Sequence, residues 1–171
     1  QILPLKNLFA FEIYNFCSDI IENMGESNVC YDALLGNGMK LWCAAVDDNH
    51  NYFALSSARC DSFGGFIQVK AESLCEGDIC DAIARGSFYS SAGPEIYDFY
   101  LDGDTVHFSS SPVSRIYVSG DIRQVLSETA EDSEHPLTGL TGKISSSERY
   151  IRAECYDRSG KKAYTNPIFL S

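Results

Sequence analysis

Leu41-Trp-Cys-Ala-Ala-Val-Asp-Asp-Asn-His50 is the stretch whose reading decides the fold. Its apolar half runs unbroken from Leu41 to Val46, between Gly38 and a pair of aspartates. An apolar run of that length, bounded by turn residues, has the pattern of a strand buried on both faces of a parallel α/β sheet or barrel. Side chains at the carboxyl end of such a strand project into the crevice where α/β proteins bind ligands. Asp48 and His50 stand two apart there, so an extended backbone points both to one side. A hard oxygen donor beside an imidazole suits zinc, manganese or iron. Asp-x-His is common by chance, so position more than spacing makes these two the candidate metal ligands.

Outward from this run, strands alternate with helices up to about residue 92. Leu8 to Tyr14 reads as a strand, dense in aromatic and branched side chains. Asn28 to Leu35 reads as a short helix, with Ser27 or Asn28 as N-cap and Gly36 just past its end. Phe66 to Ala71 is the next strand. A helix follows from Leu74 to Arg85, with Ser73 and Glu76 spaced as a capping box, Gly86 beyond its end, and Cys75, Ile79, Ala82 and Ile83 on one buried stripe.

From Gly93 the helical period vanishes. Ile96–Leu101 and Thr105–Phe108 flank Asp102-Gly-Asp104, a hairpin signal. Arg115–Val118, the alternating Tyr150–Tyr156, Lys162–Thr165 and Pro167–Leu170 read as further short strands, while 127–148 reads as a long connection. The expectation is a mixed α/β unit over 1–92 and a small antiparallel β-sandwich over 93–171.

The 171 residues carry 13 Lys+Arg against 24 Asp+Glu, a formal charge of −11. So acidic a chain does not make a general binder of nucleic acid or anionic membrane, which needs cations against phosphates. No apolar run approaches a membrane span of roughly 18 residues, and Lys6, Asn7 and Glu12 interrupt any secretory signal pattern. Seven cysteines, an odd number without a CxxC pair, fit free buried thiols in a reducing cytoplasm better than a disulfide framework or a cysteine zinc site.

Ala44-Ala-Val-Asp-Asp-Asn-His50 resembles the last metal-ligand motif of the PHP (polymerase and histidinol phosphatase) family of metal-dependent phosphoesterases. Phe63-Gly-Gly-Phe-Ile-Gln-Val-Lys-Ala-Glu72 and Ala82-Ile-Ala-Arg-Gly-Ser-Phe-Tyr-Ser-Ser-Ala-Gly-Pro-Glu-Ile96 resemble the segments that follow it in one bacterial branch. Phe11-Glu-Ile-Tyr-Asn15 is similar to the preceding strand, and Lys162 to Phe169 to the close of that branch. The resemblance implies the closing strands and helix of a distorted β/α barrel whose loops hold two or three divalent metals, followed by the sandwich. It implies metal-ligand roles for Asp48 and His50 and a supporting position beside them for Asp47. By their own positions, Glu12 at its strand end is a candidate for a supporting or packing role, and Arg85 for either a phosphate contact or the cap of its helix. The resemblance assigns no catalytic residue. The implied substrate is a phosphorylated small molecule or a phosphodiester, attacked by metal-activated water.

The family's earlier His-x-His and later His motifs are missing here, and His107 and His135 fall in the β-rich part. The chain, which begins at Gln1, is therefore expected to be the C-terminal part of a longer protein, to lack phosphoesterase activity alone, and to hold few of the metals or none. Its cut barrel edge is expected to be covered by self-association or a partner. Two other functions fit the residues: a non-catalytic interaction module on a barrel remnant, and a one-metal hydrolase using Asp48, His50 and an acidic neighbour. Tyr89, Ser90 and Ser91 are weaker phosphate candidates. Tyr97, Tyr100, Tyr117, Tyr150 and Tyr156 fit core packing better than a carbohydrate platform. No Gly-x-Ser-x-Gly, P-loop or GxGxxG string is present.

Overall fold

A computed structural model describes residues 4–121, 124–145 and 147–170. The fold is mixed and mostly β, with three helices, several antiparallel sheets and no closed barrel among the described residues. Two compact units divide it, Gln1–Ala92 and Gly93–Ser171. No described helix is long and apolar enough to cross a membrane.

In the first unit, β1 (Ala10–Asn15) and β2 (Trp42–Val46) form a parallel pair in register Ala10 to Trp42 through Asn15 to Val46. Cys43 and Ala45 are buried, whereas Trp42, Ala44 and Val46 are half-buried, so the unbroken apolar run marks one covered face and one partly covered face. Between the two strands lie α1 (Phe16–Glu22) and α2 (Asn28–Gly36). No reading of the sequence marked α1; its start is fixed by Asn15, whose Oδ1 accepts the Ser18 amide hydrogen at 2.8 Å. Helix α2 runs one residue further than expected. Gly36 is its last residue and Asn37 its C-cap, with Gly38 taking the left-handed turn at φ +86°. Tyr31, buried on α2, stacks on Phe11 and donates its hydroxyl to the Leu41 carbonyl at 2.6 Å, which docks the helix on both strands.

Strands β3 (Phe66–Val69) and β4 (Phe88–Ser91) pair antiparallel around α3 (Glu76–Ala84). The expected capping box at Ser73 and Glu76 does not form. Cys75 is the N-cap, its sulfur accepting from the Asp78 amide, while the Ser73 hydroxyl donates to the Asp78 carboxylate. The buried stripe is thinner than expected too: Ala82 is buried, Ile79 and Ile83 are half-buried and Cys75 is exposed. Ser90 on β4 ties this hairpin to β2, donating to the Cys43 carbonyl at 2.8 Å and accepting the Ala45 amide at 2.9 Å.

In the second unit, one antiparallel sheet has the order β5 (Ile96–Asp102), β6 (Thr105–Val113), β9 (Leu137–Lys143). The other has β11 (Lys162–Thr165), β10 (Tyr150–Tyr156), β7 (Arg115–Ser119), β8 (Gln124–Thr129), with β12 (Ile168–Phe169) also on β10. The Asp102-Gly-Asp104 hairpin forms as the turn chemistry predicts. The segment 127–148 is not one long connection, since it holds the end of β8 and all of β9; two glycines and two threonines disguised β9 as loop. Val106, Phe108, Val113 and Leu140 from the first sheet and Ile116, Val118, Ile151, Ala153 and Cys155 from the second are buried. Strand β10 is buried along both sides rather than alternating. Arg152, 2% exposed, reaches Glu154 at 3.0 Å, and the Tyr156 hydroxyl donates to the other carboxylate oxygen at 3.0 Å.

Candidate metal centre

The carboxyl ends of β1 and β2 lie side by side, and the chain leaves each of them into a polar turn. After β1, Asn15 works in three directions. Its Oδ1 caps α1, and its Nδ2 donates to Glu12 Oε1 at 2.9 Å and to Asp48 Oδ2 at 3.1 Å. The next turn places Cys17 on the first turn of α1, where its amide donates to the Asp47 carbonyl at 3.0 Å. That bond joins the two strand ends directly.

After β2 the chain makes an excursion from Asp47 to Gly65 and comes back to where it left. Asp47 closes it: Oδ2 accepts the Phe63 amide at 2.6 Å, and Oδ1 accepts those of Gly64 and Gly65, each at 2.8 Å. Three backbone donors converging on one carboxylate form an anion nest, here filled by the chain's own side chain. Glycine is required at both return positions by close approach. A Cβ on Gly64 would stand 2.2 Å from the Phe16 ring, and one on Gly65 would stand 2.4 Å from the Val46 carbonyl oxygen. Asp48, Asn51 and Phe63 all take positive φ, so this short path is bent where L-residues resist bending.

His50 sits at the centre. Its amide donates to Asp61 Oδ2 at 2.8 Å, its Nδ1 lies 3.8 Å from Cys17 Sγ, and its Nε2 lies 4.0 Å from Asp48 Oδ1. The ring stacks on Tyr52 at 5.3 Å. Asp61 is fully buried and Cys17 nearly so, and the donor atoms of Cys17, His50 and Asp61 all lie within 4.8 Å of one another. The thiol of Cys17 is pushed up from its ordinary pKa, by burial first and then by the charges of Asp61, Asp48 and Glu22. Nearby, the Tyr14 hydroxyl is also raised, by burial and by its bond to Asp19 at 2.9 Å.

Whether these donors suit a metal follows from bond lengths. Zinc–sulfur near 2.3 Å and zinc–nitrogen near 2.05 Å at a tetrahedral angle put the two ligand atoms about 3.6 Å apart. Cys17 Sγ and His50 Nδ1, at 3.8 Å, fit with almost no movement. A carboxylate oxygen and an imidazole nitrogen on one zinc stand about 3.3 Å apart, so Asp48 and His50 Nε2 at 4.0 Å must close by more than half an ångström. Half-exposed, Asp48 has the freedom to do so.

The structure thus brings Asp48 and His50 together, but not through an extended backbone. Asp48 has φ +51°, and the turn there swings its carboxylate alongside the ring. Asp47 does not reach His50; its carboxylate is committed to the loop closure. Glu12 reaches the cluster through Asn15. Arg85 is the C-cap of α3, and its charge lowers the Asp78 carboxyl after the larger effect of the Ser73 hydroxyl; it makes no described contact with the cluster. Ser90 is buried and spent on β2. His107 stacks on Tyr100 and His135 bonds Asp132, both in the second unit. Of the tyrosines, Tyr150 is buried, Tyr117 and Tyr156 pack edge to face, and Tyr97 and Tyr100 are exposed.

Cys17 and Asp61 were missed. Cys17 looked like one more apolar thiol, and Asp61 lies in the Ser-Cys-Asp-Ser-rich run 56–62 that has no period. The thiols are not uniformly buried either: Cys17, Cys43 and Cys155 are, Cys60 is half-buried, and Cys30, Cys75 and Cys80 are exposed. Comparison with family models, with curated proteins and with solved structures finds no match for this chain.

Proposed function

We propose that the chain contributes to the metal centre of a phosphoesterase of the PHP kind, with Asp48 and His50 at that centre. The observation that carries this reading is the half-exposed Asp48–His50 pair, 4.0 Å apart at the carboxyl ends of the parallel strands β1 and β2. In this reading 1–92 corresponds to the closing strands of the barrel and 93–171 to an appended sandwich. A divalent ion there would lower the pKa of a bound water and neutralise charge on a phosphate ester. The chain's own part is positioning. Asp47 fixes the loop that carries both residues, and Asn15 holds the Asp48 carboxylate from the neighbouring strand end.

The ligands in this chain number too few for two or three ions, so the chain alone does not turn over phosphate esters, and the complete site draws on further residues. Exposed apolar side chains at Leu8, Phe9 and Val29 support a covering partner or a second copy. Seven cysteines without a disulfide among the described residues support a reducing, cytoplasmic setting. Elemental analysis after dialysis against trace zinc and manganese is expected to find about one ion per chain, lost in Asp48→Ala/His50→Ala. Retention of the ion by that double variant, or none in the parent, overturns the metal role. Robust hydrolysis of a phosphate mono- or diester by the chain overturns its incompleteness.

A second reading, an interaction module on a scaffold, is favoured by the commitment of Asp47 and Asp61 to backbone amides. It predicts no stoichiometric metal.

A further inference from the structure

We propose that the ion is a single zinc held on the Nδ1 side of His50 by Cys17 Sγ, His50 Nδ1 and an Asp61 carboxylate oxygen, with a fourth position open. This rests on the metal role given to His50 above and changes its partners: Asp48 is then a positioning residue on the opposite ring nitrogen rather than a ligand. Three arguments from the geometry converge on it.

The first is spacing, since the Cys17–His50 separation of 3.8 Å already matches a tetrahedral zinc, and the buried Asp61 oxygen, within 4.8 Å of both donors, has to close on the ion from the same side of the ring. The second is charge. Asp61 is fully buried, and no lysine or arginine among the described residues pairs with it. A buried carboxylate without a countercharge is costly, and a cation bound beside it offsets that cost. Its hydrogen bonds leave room for one. Oδ2 takes the His50 amide, but Oδ1 has an Asn49 Nδ2 contact at the 3.5 Å limit. Asn49 Nδ2 also faces the Asp61 carbonyl and the Ser62 hydroxyl, so its contact with Oδ1 is weak and leaves that oxygen lone-pair capacity.

The third is the shape of the surroundings. A metal-bound imidazole commonly offers its other ring nitrogen to a carboxylate, which fixes the tautomer and the ring orientation. Asp48, held by Asn15, stands 4.0 Å from that nitrogen and has about 1 Å to close before it accepts a hydrogen bond there. Thiolate, imidazole and carboxylate together select zinc or cobalt over magnesium or manganese, whose preference is for all-oxygen sites. Three protein ligands and one open position is the coordination zinc keeps where a water or substrate must bind. The donors come from three separate places, the start of α1, the turn after β2 and the far side of the 47–65 loop, so binding an ion also pins that loop.

Titration of the metal-free chain with cobalt(II) tests this directly. One ion per chain is expected, with tetrahedral d–d absorption and a thiolate-to-cobalt charge-transfer band in the near ultraviolet. Cys17→Ser is expected to abolish the charge-transfer band, and Asp61→Asn to weaken cobalt and zinc affinity at least a hundredfold. Asp48→Asn, which removes only a positioning group, is expected to cost between about tenfold and a hundredfold and keep the band. Replacing Cys30, Cys75 and Cys80 by serine together is expected to leave the charge-transfer band and the metal affinity unchanged. A band that survives Cys17→Ser, or is lost with the three exposed cysteines, overturns the proposal. Binding abolished by Asp48→Asn but untouched by Cys17→Ser puts the ion on the Nε2 side, which sinks this proposal and leaves the metal role of Asp48 and His50 standing. No ion under any condition overturns both.

Discussion

Asp47→Asn is the sharpest perturbation of the loop that carries the site. The parent carboxylate accepts three amides at 2.6, 2.8 and 2.8 Å. In the variant the side-chain carbonyl can keep Gly64 and Gly65, but the new NH2 group faces the Phe63 amide, donor against donor. A hydrogen bond to a charged acceptor contributes about 1.5–3 kcal/mol and a neutral one about half as much. Losing one outright and discharging two weakens the closure by about 3 kcal/mol, or nearer 2 once solvent at the exposed Phe63 is counted. Two kcal/mol is about a thirtyfold rise in the opening constant. Native-state hydrogen exchange at Gly64 and Gly65 reads that constant locally, whichever unit unfolds first. Asp48→Asn, at the next residue but half-exposed, is the control and should move exchange little, since exposed charge interactions contribute about 1 kcal/mol or less. Unchanged protection of Gly64 and Gly65 in Asp47→Asn would refute the argument that this carboxylate holds the loop shut.

Two further outcomes follow from other parts of the chain. Gly65→Ala places a methyl 2.4 Å from the Val46 oxygen and 2.8 Å from its carbonyl carbon, backbone that cannot rotate away; a loss of about 2–3 kcal/mol is expected in urea titration, whereas Gly77→Ala, open on all sides within α3, should gain about 0.5–1 kcal/mol, and equal stabilities for the two would contradict both contacts. Burial pushes the Cys155 thiol from 9 up to about 12, so the folded state resists an ionisation that the unfolded chain undergoes; this contribution is complete below pH 9 and is lost as pH rises from there towards 12. By pH 11 the parent should have lost about 2–3 kcal/mol through this group, and a Cys155→Ala variant measured from pH 8 to 11 should show a correspondingly shallower alkaline decline; identical slopes would place the thiol's ionisation elsewhere.

What could be read from the residues was whatever depends on neighbours in sequence. The apolar run 41–46, the turn at 102–104 and the helix ending before Gly86 all formed where local pattern placed them. The failures share a cause. At the start of α3 the pattern Ser-x-x-Glu was right for a capping box, but Cys75 took the cap and left Ser73 to Asp78. Strand β9 was hidden because its partner β6 supplies the pairing that its own Thr-Gly composition does not advertise. Helix α1, seven residues long, has too few turns for a periodic stripe and depends on Asn15, which is also the last residue of a strand.

The site shows the same division more sharply. Asp47 and Asp48 are chemically identical neighbours, and only the backbone between them separates an internal clamp from a group beside an imidazole. Asp47 gives its carboxylate to the three amides of the returning chain, whereas Asp48, itself left-handed, turns its carboxylate towards His50 and Asn15. A reading of Asp-Asp-Asn-His by strand alternation puts the right two residues together for the wrong reason, because it takes the spacing as the cause. What brings them together is the left-handed turn at Asp48, in a loop shut at Gly64 and Gly65. Asp61, 11 residues from His50, lies within that loop, and Cys17, 33 residues away, meets it through the Asp47 carbonyl at the end of β2. A cluster whose geometry depends on a loop shutting has no signature at the spacing of its members; its most readable trace is the glycine pair that lets the loop shut.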